Sequence, residues 1–246
     1  MQKTLQTAFL LLAFTAMAQQ QEPVEITAEP GHHLVLENAL VRAFNVTVPP
    51  KASTLVHRHR FDYIFVTLGD ADITNVRVGA QPAKLALKDG EVRYTPGGFA
   101  HSAINNIDRP FHNITIELLA ASTGVHPCTG SCSIPIACKA KNGACPTVER
   151  LVSSDQWTAT AVTLPPSARY EEHTHTGSHL VVAVSDLDIR IKTQDQPETE
   201  VKARTGDLNW QSPVTHSLTN VGTKPARFVS LEFQGIAQTA GPIEHK

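Results

Sequence analysis

Six histidines in two matching sets are the residues of this chain best suited to chemistry. His57 and His59 flank one residue and are followed by His101 and Asn105. His173 and His175 flank one residue and are followed by His216 and Asn220. His57, His59, Pro49, Pro50, Asp72 and Ile73 superpose on His173, His175, Pro165, Pro166, Asp188 and Ile189 at a constant offset of 116. His101, Asn105, Pro110 and Glu117 superpose on His216, Asn220, Pro225 and Glu232 at an offset of 115. One deleted residue thus relates two halves that otherwise run in register, which is an internal duplication. On a strand, residues i and i+2 share a face, so each His-x-His pair aims two imidazoles at one spot. A third histidine from a facing strand completes a triad that leaves positions open for water, oxygen or substrate. Such donors suit Mn, Fe, Co, Ni, Cu or Zn. A lone histidine is more often a surface or hydrogen-bonded residue, but the same three positions occurring twice point to about two transition metal ions per chain.

The elements that must position these side chains read as strands. Val41 to Val48 and Thr158 to Leu164 alternate apolar and polar residues, and both end at a Pro-Pro pair. Tyr63 to Leu68 and His179 to Val184 are short runs rich in β-branched residues; Ala71 to Val78 and Leu187 to Lys192 alternate again. Ile114 to Leu119 and Phe228 to Phe233 close each repeat, and Lys88-Asp-Gly-Glu91 and Pro96-Gly-Gly98 read as turns. No segment beyond the N-terminus sustains a 3.6-residue period. The expectation is an all-β chain of two tandem small barrels or jelly rolls.

The N-terminus indicates the compartment. Lys3 precedes an apolar run from Ala8 to Met17, and Ala16-Met-Ala18 offers small residues for a signal peptidase. The run is too short to span a bilayer, so residues 1–18 read as a cleaved signal peptide and the mature chain as secreted or periplasmic, without a membrane anchor. Cys128, Cys132, Cys138 and Cys145 lie between the repeats in a stretch rich in Gly, Ser, Pro and Lys. An even cysteine count in an oxidising compartment favours two disulfides, with the pairing open; the spacing lacks the paired C-x-x-C hairpins of zinc ribbons. With 41% hydrophobic and 18% charged residues, the 246-residue chain can fill sizeable cores. A formal net charge of -2, with no basic cluster interleaved with aromatics, argues against nucleic acid as a partner. A small-molecule substrate or ligand is the expected partner, and homo-oligomerisation is left open.

The motif residues carry a family resemblance. Gly90, Pro96, Gly98, His101 and Asn105 match every fixed position of the second cupin motif, G-x5-P-x-G-x2-H-x3-N. His57, His59, Asp62 and Gly69 match the first motif, with Asp replacing the usual Glu and a shorter loop before it. The second repeat keeps His173, His175, His216 and Asn220, but has Gln211 and Pro213 where the proline and glycine belong. The chain therefore resembles a bicupin, with a signal peptide at 1–18, an N-terminal cupin domain at 19–122, a cysteine-rich linker at 123–146, a C-terminal cupin domain at 147–236 and a tail at 237–246.

The resemblance implies a fourth ligand in each half. Counting back from Gly69 selects Asp62, whereas counting forward from His59 selects Tyr63. In the second half Ser178 stands opposite Asp62 and His179 opposite Tyr63, and His179, placed after Gly177, is the expected fourth ligand. The implied sets are His57, His59, Asp62 and His101, and His173, His175, His179 and His216. Glu117 and Glu232 read as exposed strand carboxylates, with support of the ligands as the alternative. His32 and His33 read as solvated, His112 as no shared ligand, and Trp157 and Trp210 as core or rim. No phosphate loop, G-x-S-x-G elbow or Cys–His nucleophile is apparent. The resemblance implies a metal-dependent enzyme of dioxygenase or oxidoreductase type. A metal-dependent lyase, decarboxylase or isomerase, and a non-catalytic cupin that binds a metal or small ligand, are the alternatives, because fold alone does not choose among them.

Overall fold

A computed structural model describes residues 22–138 and 144–234. The expected signal peptide at 1–18 and the tail at 237–246 lie outside the described residues. Among the described residues the regular structure is strand, apart from one 3-10 turn at Ile26–Ala28. In the first repeat one sheet runs, in order of neighbours, β1 (Val24–Glu25), β4 (His57–His59), β9 (Phe99–Asn105), β6 (Ala71–Arg77) and β7 (Ala83–Leu87). The other runs β2 (His32–Glu37), β3 (Val41–Val48), β10 (Phe111–Leu118), β5 (Tyr63–Leu68) and β8 (Val92–Thr95).

The second repeat reproduces both sheets. Its first runs β14 (Arg169–His175), β19 (Val214–Asn220), β16 (Leu187–Thr193) and β17 (Thr199–Ala203). Its second runs β11 (His126–Pro127), β12 (Thr147–Ser153), β13 (Trp157–Leu164), β20 (Ala226–Phe233), β15 (His179–Ala183) and β18 (Leu208–Gln211). Even irregularities are duplicated. The β2–β3 ladder slips between Leu34 and Leu36, and the β12–β13 ladder slips between Arg150 and Val152, the same place at the 116-residue offset.

Strand alternation explains how one sheet serves two cores. On β10, Ile114, Ile116 and Leu118 face one way, while Phe111, Asn113, Thr115 and Glu117 face the barrel interior. On β20, Val229, Leu231 and Phe233 face out, and Phe228, Ser230 and Glu232 face in. The two outward faces meet. Ile64, Ile114, Ile116, Leu180 and Leu231 are fully buried in the cluster that joins the repeats, and each such side chain contributes about 1.5–3 kcal/mol over its exposed state. Trp157 is buried there as well, as expected. Arg227 crosses between the repeats to Asp89, donating from one guanidinium nitrogen to the carboxylate at 2.5 Å and from the other to the backbone carbonyl at 3.0 Å.

The cysteines form two disulfides, Cys128–Cys132 and Cys138–Cys145. The stretch between the repeats lies along the edge of the second one. β11 pairs with β12, Ser133 bridges Glu149, and Ile134 N–H donates to Val148 O at 2.7 Å.

Candidate metal centres

Each barrel interior gathers the histidines that the spacing singles out. In the first repeat, alternation along β4 turns His57 and His59 inward and leaves Arg58 exposed. His101 on β9 is paired directly with His57. His59 Nε2 lies 3.2 Å from His57 Nε2 and 3.1 Å from His101 Nε2.

The outer nitrogens of His57 and His101 fix what their inner ones can be. His57 Nδ1–H donates to Leu55 O at 2.9 Å, and His101 Nδ1–H to Asn75 Oδ1 at 2.6 Å. A carbonyl oxygen only accepts, so in the neutral ring the proton sits on Nδ1 and Nε2 presents a lone pair. Burial, reinforced by the neighbouring imidazoles, pushes His57 down to about 4, His59 to about 2 and His101 to about 3. The rings are therefore neutral at neutral pH. His59 Nδ1 has no hydrogen-bond partner, so His59 Nε2 can donate to these neighbours when no ion is bound or present a third lone pair to a cation. Nitrogens 3.1–3.2 Å apart, each about 2.0–2.1 Å from one ion as in zinc sites, would subtend roughly 100° at it, so the donor set fits a transition metal.

The second repeat repeats the construction. His173 on β14 pairs with His216 on β19, and their Nε2 atoms lie 3.2 Å apart. His173, His175 and His216 offer ligand atoms within 4.8 Å of one another. His173 Nδ1–H donates to Glu171 O at 2.8 Å, the counterpart of the His57–Leu55 bond. His175 Nδ1–H donates to Glu232 Oε2 at 2.8 Å, and the backbone N–H groups of Thr176 and Gly177 hold Glu232 Oε1. A carboxylate behind a ligating imidazole fixes its tautomer and raises its basicity. Burial pushes His216 down to about 3 and lowers His173.

The expected fourth ligands are placed otherwise. Asp62 precedes Tyr63, so the two point to opposite sides of the strand. Tyr63 faces in and lies flat on His59, with ring centroids 4.1 Å apart and planes 19° apart. Asp62 faces away, where Oδ2 accepts from the Tyr94 hydroxyl and Oδ1 from Gly97 N–H at 2.8 Å. Nor is Tyr63 a ready phenolate, because burial pushes its hydroxyl up to about 12. His179 occupies the place of Tyr63 and stacks on His175 at 4.0 Å and 20°. Imidazole lone pairs lie in the ring plane, and two stacked, nearly parallel planes do not share a point that is a bond length from both rings. His179 is therefore a stacking partner of His175 in this geometry. Gly177 matters to this turn: a Cβ there would meet Phe233 O at 1.6 Å, so only glycine lets the chain pass into β15.

Other residues depart from expectation too. Glu117 is fully buried and paired with Arg42 at 2.6 Å, so its nearer oxygen stays 3.9 Å from His59 Nδ1. Its counterpart Glu232 reaches His175 because Thr158 stands where Arg42 would compete. His32, expected to be solvated, is buried against His57 with ring centroids 4.5 Å apart. His112, by contrast, reads as no shared ligand; it bonds Thr47 and is in neither cluster.

The two centres differ in access. A cavity of about 250 Å³ surrounds the first, where His57 and His59 are each 1% exposed. A cavity of about 460 Å³ opens on the second, walled by apolar side chains such as Val148, Val181, Ile189 and Phe228. The buried Ser230 hydroxyl, which has no hydrogen-bond partner, also lines it.

No protein-family model and no curated protein sequence matches this chain. Solved structures do. AerE from Microcystis aeruginosa superposes with a TM-score of 0.58 at 10% identity, covering 83% of this chain and 98% of its own. Oxalate decarboxylase from Bacillus subtilis superposes at 0.56 and 15% identity, covering 81% of this chain and 69% of its own. A further structure of that enzyme, studied for its Mn(II) centres, superposes at 0.57 and 14% identity, covering 88% and 77%. The likeness shows a two-domain, cupin-type β fold.

Proposed function

We propose that the chain is an exported, metal-dependent oxidoreductase of dioxygenase type, with its reaction site at His173, His175 and His216. The observation that carries the proposal is the opening of this triad onto the cavity of about 460 Å³ with mostly apolar walls. That volume suits a small organic molecule. Three neutral donors, with the Glu232 carboxylate behind one of them, leave an ion's positive charge only partly compensated, so the favoured substrate has an apolar body and an anionic chelating head: a phenolate, enolate or thiolate. A redox-active ion held there would supply electron transfer between substrate and dioxygen, which is both the oxidant and the source of the added oxygen atoms.

The chain's own residues do the rest. Glu232 and the Glu171 carbonyl hold His175 and His173 with Nε2 turned inward. The apolar walls exclude water and select the substrate's body. Ser230 offers a hydroxyl to a polar substituent. Lyase chemistry on a dicarboxylate is less well supported. Apart from the imidazoles, the one cationic side chain among the described residues lining this cavity is Lys202, whose Nζ lies 3.4 Å from Asp188. The two disulfides fit export to an oxidising compartment.

Oxygen uptake tests the proposal directly on metal-loaded protein offered phenols, thiols, 1,3-diketones and dicarboxylates. Uptake with one of the first three classes is expected, abolished by His216→Ala and retained in folded His101→Ala protein. Carbon dioxide release from a dicarboxylate without net oxygen uptake would move the assignment to a lyase. Tight binding without turnover would make the protein a binding module.

A further inference from the structure

The two centres are not copies of one another, and one of their differences lies on β2 and β12. His32 on β2 pairs with Val46, and Val148 on β12 pairs with Val162, so His32 and Val148 occupy the same place in the two repeats. Both line their cavities. We propose that His32 is a fourth nitrogen donor to the metal of the first repeat, and that it closes that centre to substrate. The inference rests on the reading of His57, His59 and His101 as metal ligands.

The placement of His32 is built with care. Its Nδ1 lies 2.6 Å from Glu29 Oε2, and both side chains are nearly inaccessible, at 5% and 4%. A buried carboxylate is costly unless its oxygens are satisfied, and this one is. Oε2 also accepts from Gly31 N–H at 2.7 Å, and Oε1 accepts from Leu55 N–H at 3.1 Å. The Leu55 carbonyl in turn accepts from His57 Nδ1–H. One carboxylate thus orients His32 directly and His57 through a single peptide residue. Since Glu29 takes Nδ1, Nε2 is the His32 nitrogen left for the cavity. His32, His57 and His59 offer ligand atoms within 4.8 Å of one another, and His101 Nε2 sits 3.1 Å from that of His59. A closed set of four such donors is tetrahedral, with nitrogens roughly 3.4 Å apart, so an inward movement of His32 would complete it. Gly31 tightens the turn, since a Cβ there would meet Thr47 O at 2.8 Å.

In the second repeat the donor is absent: the offset puts Val148 at the place of His32 and Cys145 at that of Glu29. Closed ligand sets are typical of structural centres, whereas catalytic ones keep a position open. The first repeat therefore carries a four-imidazole ion that braces its barrel, and the second keeps the open site. Four neutral nitrogens favour Cu, Zn or Ni over Mn.

The test uses full-length His216→Ala protein, so that only the first centre loads. With Co²⁺ as the probe, X-ray absorption should count four nitrogen donors of imidazole type, a measurement that needs no change at His32. His32→Val, which installs the residue of the second repeat, should weaken Zn²⁺ binding at least tenfold in chelator competition and alter the Co²⁺ visible spectrum. His33→Val, at the exposed neighbour, should do neither. Three imidazole donors with unchanged affinity in folded His32→Val protein would overturn the fourth-ligand inference and leave the triad intact. Failure of the His216→Ala protein to bind either ion would instead overturn the metal reading of the first repeat, and this inference with it.

Discussion

Tyr63 and His179 occupy the same place in the two repeats, each opposite the glutamate of the last strand and each lying flat on the second histidine of its triad. A phenol and an imidazole at one position, both used as a flat surface, indicate a site that requires a ring rather than a donor atom. His179→Phe should therefore keep the stack and leave the metal content of the second repeat unchanged. His179→Ala should weaken binding by roughly 10–100-fold, the usual effect of losing support behind a ligand. Elemental analysis after dialysis against a chelator reads both; complete loss in His179→Phe would make His179 a ligand after all.

The glutamates should separate in the same way. Glu232 holds His175 Nδ1–H, so Glu232→Gln should lower metal affinity of the second repeat by roughly 10–100-fold with little change in unfolding. Glu117 is engaged by Arg42, so Glu117→Gln should appear in the urea midpoint, at about 2 kcal/mol for a lost charged hydrogen bond. Chelator competition and urea unfolding on both variants would show the exchange of effects. Equal effects on metal would mean that Glu117 also supports a ligand.

These differences mark where the sequence stops being readable. The His-x-His pairs declare their own geometry, because a period of two places both rings on one face, and the 116-residue offset says the same thing twice. Strand runs such as Val41 to Val48 and Tyr63 to Leu68 were legible for the same reason. The fourth position was not. Counting from Gly69 reaches Asp62, one residue away from the inward-facing Tyr63, and a shift of one residue reverses the face. His32 carried no signal within the motif, since its strand lies outside it and its counterpart is Val148. The partners of Glu117 and Glu232 depend on whether a neighbouring strand offers Arg42 or Thr158, a register that emerges only on folding.

Acid should unfold the metal-free protein from a higher pH than its carboxylates alone would require. His59, His101 and His216 are held at about 2, 3 and 3 in the folded chain, against about 6.5 when unfolded. Between those values the unfolded chain binds more protons, so stability falls as pH drops from about 6.5 toward 3. Glu117, whose carboxyl is raised by burial, opposes this weakly as a single group. The urea midpoint of apo protein should be lower at pH 5 than at pH 7.5; a flat profile would mean that the imidazoles are accessible to protons when folded.

The cysteine stretch should behave as a covalent brace on the second cavity. Ile134 lies between the two disulfides and lines that cavity. Alkylation of denatured, unreduced protein should label no cysteine, and labelling after reduction should reach all four. Reduced native protein should be cleaved faster by protease between Cys128 and Cys145. Labelling before reduction would contradict the pairing.

Metal stoichiometry tests the central claim most directly. Protein exported natively, then loaded separately with Mn, Fe, Cu, Ni and Zn and dialysed, should retain about two ions per chain for at least one of these metals. His101→Ala and His216→Ala should each remove about one, and the double variant both. Retention of two ions by the double variant, or of none by folded wild type with every metal, would contradict the reading of these histidines as metal centres.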